Sequence, residues 1–204
     1  MAKKRKGKEK KKPAAEEGDD AVEEPVQRPG GDFEAARNLF RSGDFEGAVR
    51  ALQGLVRKNP DNFEALALLA SCHSFQGNYE EAVKCHEAAV KADPRDAQRW
   101  HGLASDLLNL GDVERAETAM REALKLDGKR GSSHYNMARI IARKGDYESA
   151  LSSLRKAVEL QPELRDSMTE QPDFAPLAED DRFKQLASPK KDEFDYPFFE
   201  RGEA

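Results

Sequence analysis

Four histidines, His73, His86, His101 and His134, are the side chains here best suited to moving protons near neutral pH. Two of them follow cysteines, as Cys72-His73 and Cys85-His86, and soft metal ions favour thiolate and imidazole ligands. The two pairs lack the two- or three-residue gaps of structural zinc sites, however. The reading they favour is packing, with His73 and His86 facing each other inside one helical pair. No metal and no cofactor are expected. The chain also lacks a glycine-rich phosphate loop, a zinc-protease helix motif and a nucleophile elbow, so an enzyme is not expected.

Arginines and aromatics offer a different chemistry. Helical spacing puts Phe33, Arg37, Phe40 and Arg41 on one stripe. The equivalent stripes, each 34 residues on, are Ala67, Ser71, Ser74 and Phe75, then His101, Ser105, Leu108 and Asn109, then Tyr135, Arg139, Ala142 and Arg143. These positions include four arginines and no acid, in a chain with 39 acidic residues. One turn earlier, Glu64 stands at the rim.

What positions these stripes is a repeat. Gly43, Gly77, Gly111 and Gly145 are each 34 residues apart. Asp44, Asn78, Asp112 and Asp146 come directly after them, then Phe45, Tyr79, Val113 and Tyr147, and four glutamates and four alanines keep the same beat. A fixed period of this size marks stacked supersecondary units. Each unit predicts two helices. The glycine suits the left-handed residue just past the first helix, and the Asp or Asn caps the second. Asn78 with Glu81 gives a capping box. Pro60, Pro94 and Pro162 stop three of the second helices.

The composition fits a thin array with tails: 38% hydrophobic and 36% charged over 204 residues. Net charge is −5, yet residues 1–12 hold eight Lys or Arg and one Glu. The expected organisation is a disordered basic and acidic arm over 1–31, four repeats over 32–164, capping helices over 165–187, and a flexible acidic-aromatic tail over 188–204. Phe174, Leu177, Phe183 and Leu186 would cover the apolar face that the last repeat leaves open. The alternative to an interaction adaptor is a nucleic-acid- or ribosome-associated protein tethered through this Lys-rich arm, with weak nucleic-acid contact through residues 3–12, although no aromatic interleaves its cations. No run is long and apolar enough to span a bilayer, no secretory signal is evident, and two cysteines form no disulfide framework. The expected location is cytoplasmic.

The pattern of Trp100, Leu103, Ala104, Gly111, Ala116, Met120 and Ala123 resembles the tetratricopeptide repeat family. Met137, Ala138, Gly145, Tyr147, Ala150, Leu154, Ala157 and Pro162 match it again. The resemblance covers residues 31–164 and implies an all-α fold, a right-handed α-solenoid of four helix-turn-helix repeats with capping helices. It also implies that the first helix of each pair lines a concave surface holding a peptide. On that basis Arg37, Phe40, Arg41, Phe75, His101, Asn109, Tyr135, Arg139 and Arg143 are the candidate peptide-binding residues. Arginine forks favour carboxylates, and aromatics anchor, so the expected partner is an acidic peptide containing aromatics. The chain's own tail, DEFDYPFFE at residues 192–200, has that character, in its own groove or a second copy's. Phe33 and Arg37 stand where the family's chaperone-binding members carry a Lys and an Asn, so a co-chaperone role is not expected.

Overall fold

The computed structural model describes residues 31–188. The basic arm and the acidic-aromatic tail lie outside them, apart from Gly31 and Ser188. Eight helices run in antiparallel pairs: α1 (Gly31–Arg41) with α2 (Phe45–Lys58), α3 (Phe63–Phe75) with α4 (Tyr79–Ala92), α5 (Ala97–Leu110) with α6 (Val113–Leu126), and α7 (Gly131–Arg143) with α8 (Tyr147–Leu160). Two 3₁₀ turns, Pro162–Ser167 and Pro172–Leu177, and the short α9 (Asp181–Ala187) complete the described chain. No strand occurs among the described residues. The architecture is a right-handed α-solenoid.

The local punctuation has clear causes. Gly43, Gly77, Gly111 and Gly145 have φ of 83°, 77°, 84° and 83°, a region that residues with a Cβ rarely adopt. Asp44 then accepts the Gly47 N–H at 2.8 Å, Asp112 that of Arg115 at 3.2 Å, and Asp146 that of Ser149 at 3.1 Å. Each satisfies an amide that the first turn would leave unpaired. The second repeat departs from this. Asn78 makes no side-chain cap, and the expected capping box does not form. Glu81 instead takes the Lys84 ammonium at 3.4 Å, one turn further along α4. Helices α2, α4 and α8 end two residues before Pro60, Pro94 and Pro162.

Packing keeps the same beat. Ala48, Ala82, Ala116 and Ala150 are wholly buried, where their small side chains let neighbouring helices approach closely. Leu52, Met120 and Leu154 fill the equivalent large positions. Each helix packs on the next in sequence, and α1, α3, α5 and α7 also touch in succession. The four first helices therefore form one continuous inner wall.

Past α8 the period stops, and the end is closed by other means. Phe174, Leu177 and Phe183 are buried against Leu151, Leu154 and Val158 of α8, with Leu186 packed at the edge. Burying each such side chain stabilises by roughly 1.5–3 kcal/mol. Arg182 of α9 grips Glu148 of α8 through two bonds of 2.7 Å. That pair is exposed and adds little beside the apolar burial.

Candidate functional site

The inner wall carries an open groove of about 890 Å³ across the first three repeats. Phe33 and Arg37 from α1, Ala67, Ser71, Ser74 and Phe75 from α3, and His101, Ser105 and Asn109 from α5 line it. These residues lie at i, i+4 and i+7 or i+8 along their helices, so one face of each helix supplies them. Ala67, Ser71 and Ser74 of α3 contribute small side chains to the groove wall.

Phe75 is the most exposed large hydrophobic side chain among the described residues, at 68%. It is not loose. Its ring stacks on Phe45 with centroids 5.2 Å apart and an interplanar angle of 7°, and Phe40 meets both rings edge-on at 5.5 Å. Phe40 thus buttresses Phe75 and does not itself line the groove. Aromatic pairs of this geometry are attractive beyond their buried area, so a ligand would meet a rigid apolar platform.

The floor is polar in a way the stripes did not indicate. Nδ1 of His86, on α4, lies 2.8 Å from Oδ2 of Asp106, on α5, and the Ser74 hydroxyl lies 2.7 Å from Oδ1 of the same carboxylate. His86 and Asp106 are both buried. The expected contact between His73 and His86 is replaced by this link between repeats, because a buried carboxylate needs a partner. Gly102 makes room for it: a Cβ there would come within 2.5 Å of the His86 ring. With Asp106 in the centre, His86 does not touch the serine oxygen, so the trio is not arranged to activate a nucleophile. A sequence signal for it existed. His86 interrupts the series Leu52, Met120 and Leu154, and Asp106 interrupts the pair Cys72 and Ile140. Two polar residues in neighbouring core positions compensate each other.

Acids also reach the groove, as Glu64, Asp96 and Asp106. Arg99 on the rim is held by Asp93 at 3.0 Å and Asp96 at 3.4 Å, and it lies 4.2 Å over the Phe63 ring. The wall is thus mixed in charge, where the stripes alone predict a basic one. His101 sits with Nδ1 2.9 Å from the Ser133 hydroxyl. Burial first, then the Arg130 charge and the nearby His86 ring, push its pKa down to about 4. It is a neutral imidazole at physiological pH.

Of the nine candidate residues, Arg37, Phe75, His101 and Asn109 line the groove. Arg41 is exposed at the end of α1. Tyr135, Arg139 and Arg143 are placed differently, with partners inside the chain. The Pro172–Leu177 turn packs on Tyr135 and the half-buried Arg139 and binds Arg143, which stays exposed at the edge. Arg139 donates from Nε to Asp173 at 2.8 Å, Arg143 donates from Nε to the other oxygen at 2.6 Å, and Arg143 also reaches the Leu108 carbonyl. The Tyr135 hydroxyl donates to the Ser167 carbonyl at 3.1 Å, and its ring meets Phe174 edge-on at 5.4 Å. The physical reason is closure: the last first-helix has no fifth repeat beside it, and the turn fills that place.

Cys72 is wholly buried, which pushes its thiol up to about 11, and Cys85 is raised by burial as well. Both are thiols, not ready nucleophiles. Among the described residues no cluster of three or more His, Cys, Asp or Glu is placed to hold a metal ion, and no helix is long and apolar enough to cross a membrane.

Comparison with known proteins agrees with this architecture. A crystal structure of MamA superposes with a TM-score of 0.65 at 19% identity, covering 74% of this chain and 90% of that one. MamA from Desulfovibrio magneticus RS-1 gives 0.61 at 24% identity, covering 65% and 75%. YrrB, described as a TPR protein with an unusual peptide-binding site, gives 0.63 at 17% identity, covering 76% and 80%. At these identities the likeness is one of fold. No curated protein sequence matches. Two family models described as tetratricopeptide repeat match residues 39–107 and 101–164, together well over half of the sequence. With its 34-residue beat, its paired helices and these matches, the chain belongs to the tetratricopeptide repeat family.

Proposed function

We propose that this protein is a non-enzymatic interaction adaptor that holds a peptide segment of a partner in the groove of its first three repeats. The observation that carries this reading is the groove itself. It combines a volume of about 890 Å³, a rigid exposed aromatic at Phe75 and polar groups spaced along one wall. An extended or helical segment can bury apolar side chains on such a platform and pair its backbone with Asn109 and the wall serines. YrrB, a neighbour in fold, is described as having a peptide-binding site, which is consistent with this use of the architecture.

The ligand expected here is acidic with aromatics. Two of the four stripe arginines already hold Asp173, so the stripe arginines left for a ligand are those of α1, Arg37 and Arg41, with Arg130 also on the groove lining. A displayed peptide library panned against the full-length protein tests the reading. Selected peptides should lose binding to a Ser105→Trp variant, which fills the groove, and weaken several-fold on Phe75→Ala. Peptides indifferent to both changes would place the interaction elsewhere.

A further inference from the structure

The first and fourth repeats carry the same recognition triplet. Phe33, Arg37 and Arg41 stand at the positions of Tyr135, Arg139 and Arg143, each pair three repeat lengths apart. Both triplets run aromatic, Arg, Arg along the inner face of a first helix. Among the second and third repeats the equivalents are Ala67, Ser71 and Phe75, then His101, Ser105 and Asn109, with no arginine at all.

In the fourth repeat the chain shows what the triplet takes. Asp173 puts one carboxylate oxygen on each arginine, and the next residue, Phe174, sets its ring against Tyr135. Asp173 lies 34 residues beyond Arg139. The residue 34 beyond Arg37 is Ser71, whose hydroxyl turns back to the Ala67 carbonyl at 3.0 Å. The carboxylate is therefore missing at the first repeat, and alanine and serine leave a hollow in its place. Arg37 spends one Nη on Glu34 at 2.7 Å, while its Nε is buried without a hydrogen-bond partner among the described residues. In the fourth repeat it is Nε of the equivalent arginine that holds Asp173.

We infer that the triplet Phe33, Arg37 and Arg41 is an open copy of the closed site, and that it binds the Asp195-Tyr196 pair in the C-terminal segment of a second copy of this chain. The inference rests on the groove reading above and names its occupant. An Asp next to an aromatic occurs elsewhere in the chain at Asp32-Phe33, Asp44-Phe45, Asp146-Tyr147 and Asp173-Phe174, and all of these are built into the fold. Beyond the described residues, residues 189–204 hold Glu193-Phe194 and Asp195-Tyr196. A second copy is the source because reach excludes the first. Seven residue steps from Ser188 span at most about 25 Å. Three helix spacings from α7 back to α1, at about 8–10 Å each, use up that length before the end cap is crossed. The contact is head-to-tail, and it would run on from copy to copy unless it closes into a ring.

The test is fluorescence anisotropy of a labelled synthetic peptide of residues 189–204 titrated into the full-length protein. Saturable binding is expected. It should weaken about tenfold with Arg37→Ala, further with Arg41→Ala added, and about tenfold with Asp195→Asn in the peptide, since each change removes a charge-assisted bond. Arg155→Ala, on an exposed face of α8, should change nothing. In sedimentation of the full-length protein, association that grows with concentration should disappear with Asp195→Asn and Tyr196→Ala together. Circular dichroism checks that the arginine variants stay folded. Absence of peptide binding, or binding indifferent to Arg37 and Arg41, overturns the inference. So does binding of a peptide of residues 170–178 without binding of the tail. If the tail fails while library peptides bind and are lost on Ser105→Trp, the groove reading stands and only this occupant is rejected.

Discussion

The first and fourth repeats begin from the same inner-face triplet and end in opposite states. At the fourth repeat, Tyr135 is buried and its two arginines share Asp173, itself only 8% exposed on its side chain. At the first, Phe33 and Arg37 border open groove and Arg41 is exposed. The difference lies not in the two repeats but in the next stretch of chain packed beside each. Beside the first stands another repeat with small residues, whereas beside the fourth stands a non-periodic turn with an acid and a phenylalanine. One surface chemistry can serve as a structural joint or as a recognition site, depending on the neighbour it is given.

The largest effect expected from this contrast is on stability. Phe174→Ala empties a buried ring site and should cost about 4 kcal/mol, whereas Phe33→Ala, at a half-buried position, should cost about 1 kcal/mol. Denaturant unfolding of the two variants measures the gap, and equal losses would break the comparison. Next, Asp173→Ala strands two partly buried guanidinium groups and should cost about 3 kcal/mol. Arg37→Ala should cost less than about 0.5 kcal/mol, since its one ion pair is exposed. If Arg37 proved as costly as Asp173, the first site would already be filled within the chain.

Between the two ends, His101 gives a pH signature. Its folded pKa, about 4, lies below the ordinary value of 6.5. The unfolded chain therefore binds a proton that the folded chain does not. The stability is whole above pH 6.5 and falls as pH drops from there towards 4. His101→Gln should flatten that part of the curve of melting temperature against pH, and an unchanged slope would show that burial does not hold the imidazole neutral. Effects that belong to the period itself should ignore the contrast. Asp44→Ala should cost about 1 kcal/mol through its lost cap, and Asp146→Ala should lower the melting temperature comparably. Asn78→Ala, with no cap to lose, should do less than either.

Much of the fold was legible because it is local and repeated. A glycine with positive φ, a polar residue directly after it and a buried alanine recur every 34 residues, and each acts within its own few turns. Part of the candidate site was legible for the same reason. Arg37, Phe75, His101 and Asn109 share a wall because first helices stack in register. The His86 to Asp106 link was half visible, as two polar residues at core positions, but their pairing across repeats depends on how α4 meets α5. The missing side-chain cap at Asn78 was not legible, and the reciprocal half of the box is lost because the Asn78 N–H goes to the His73 carbonyl while Glu81 pairs with Lys84.

By itself, then, the sequence determined the repeat length, the helix boundaries and which helix faces turn inward, since short-range sterics and periodic burial set all three. Only the tertiary structure decided which of two equivalent triplets is closed. That choice depends on where a non-periodic segment comes to rest, and the position of Asp173 against Arg139 and Arg143 arises from packing on the last repeat, not from any spacing within it.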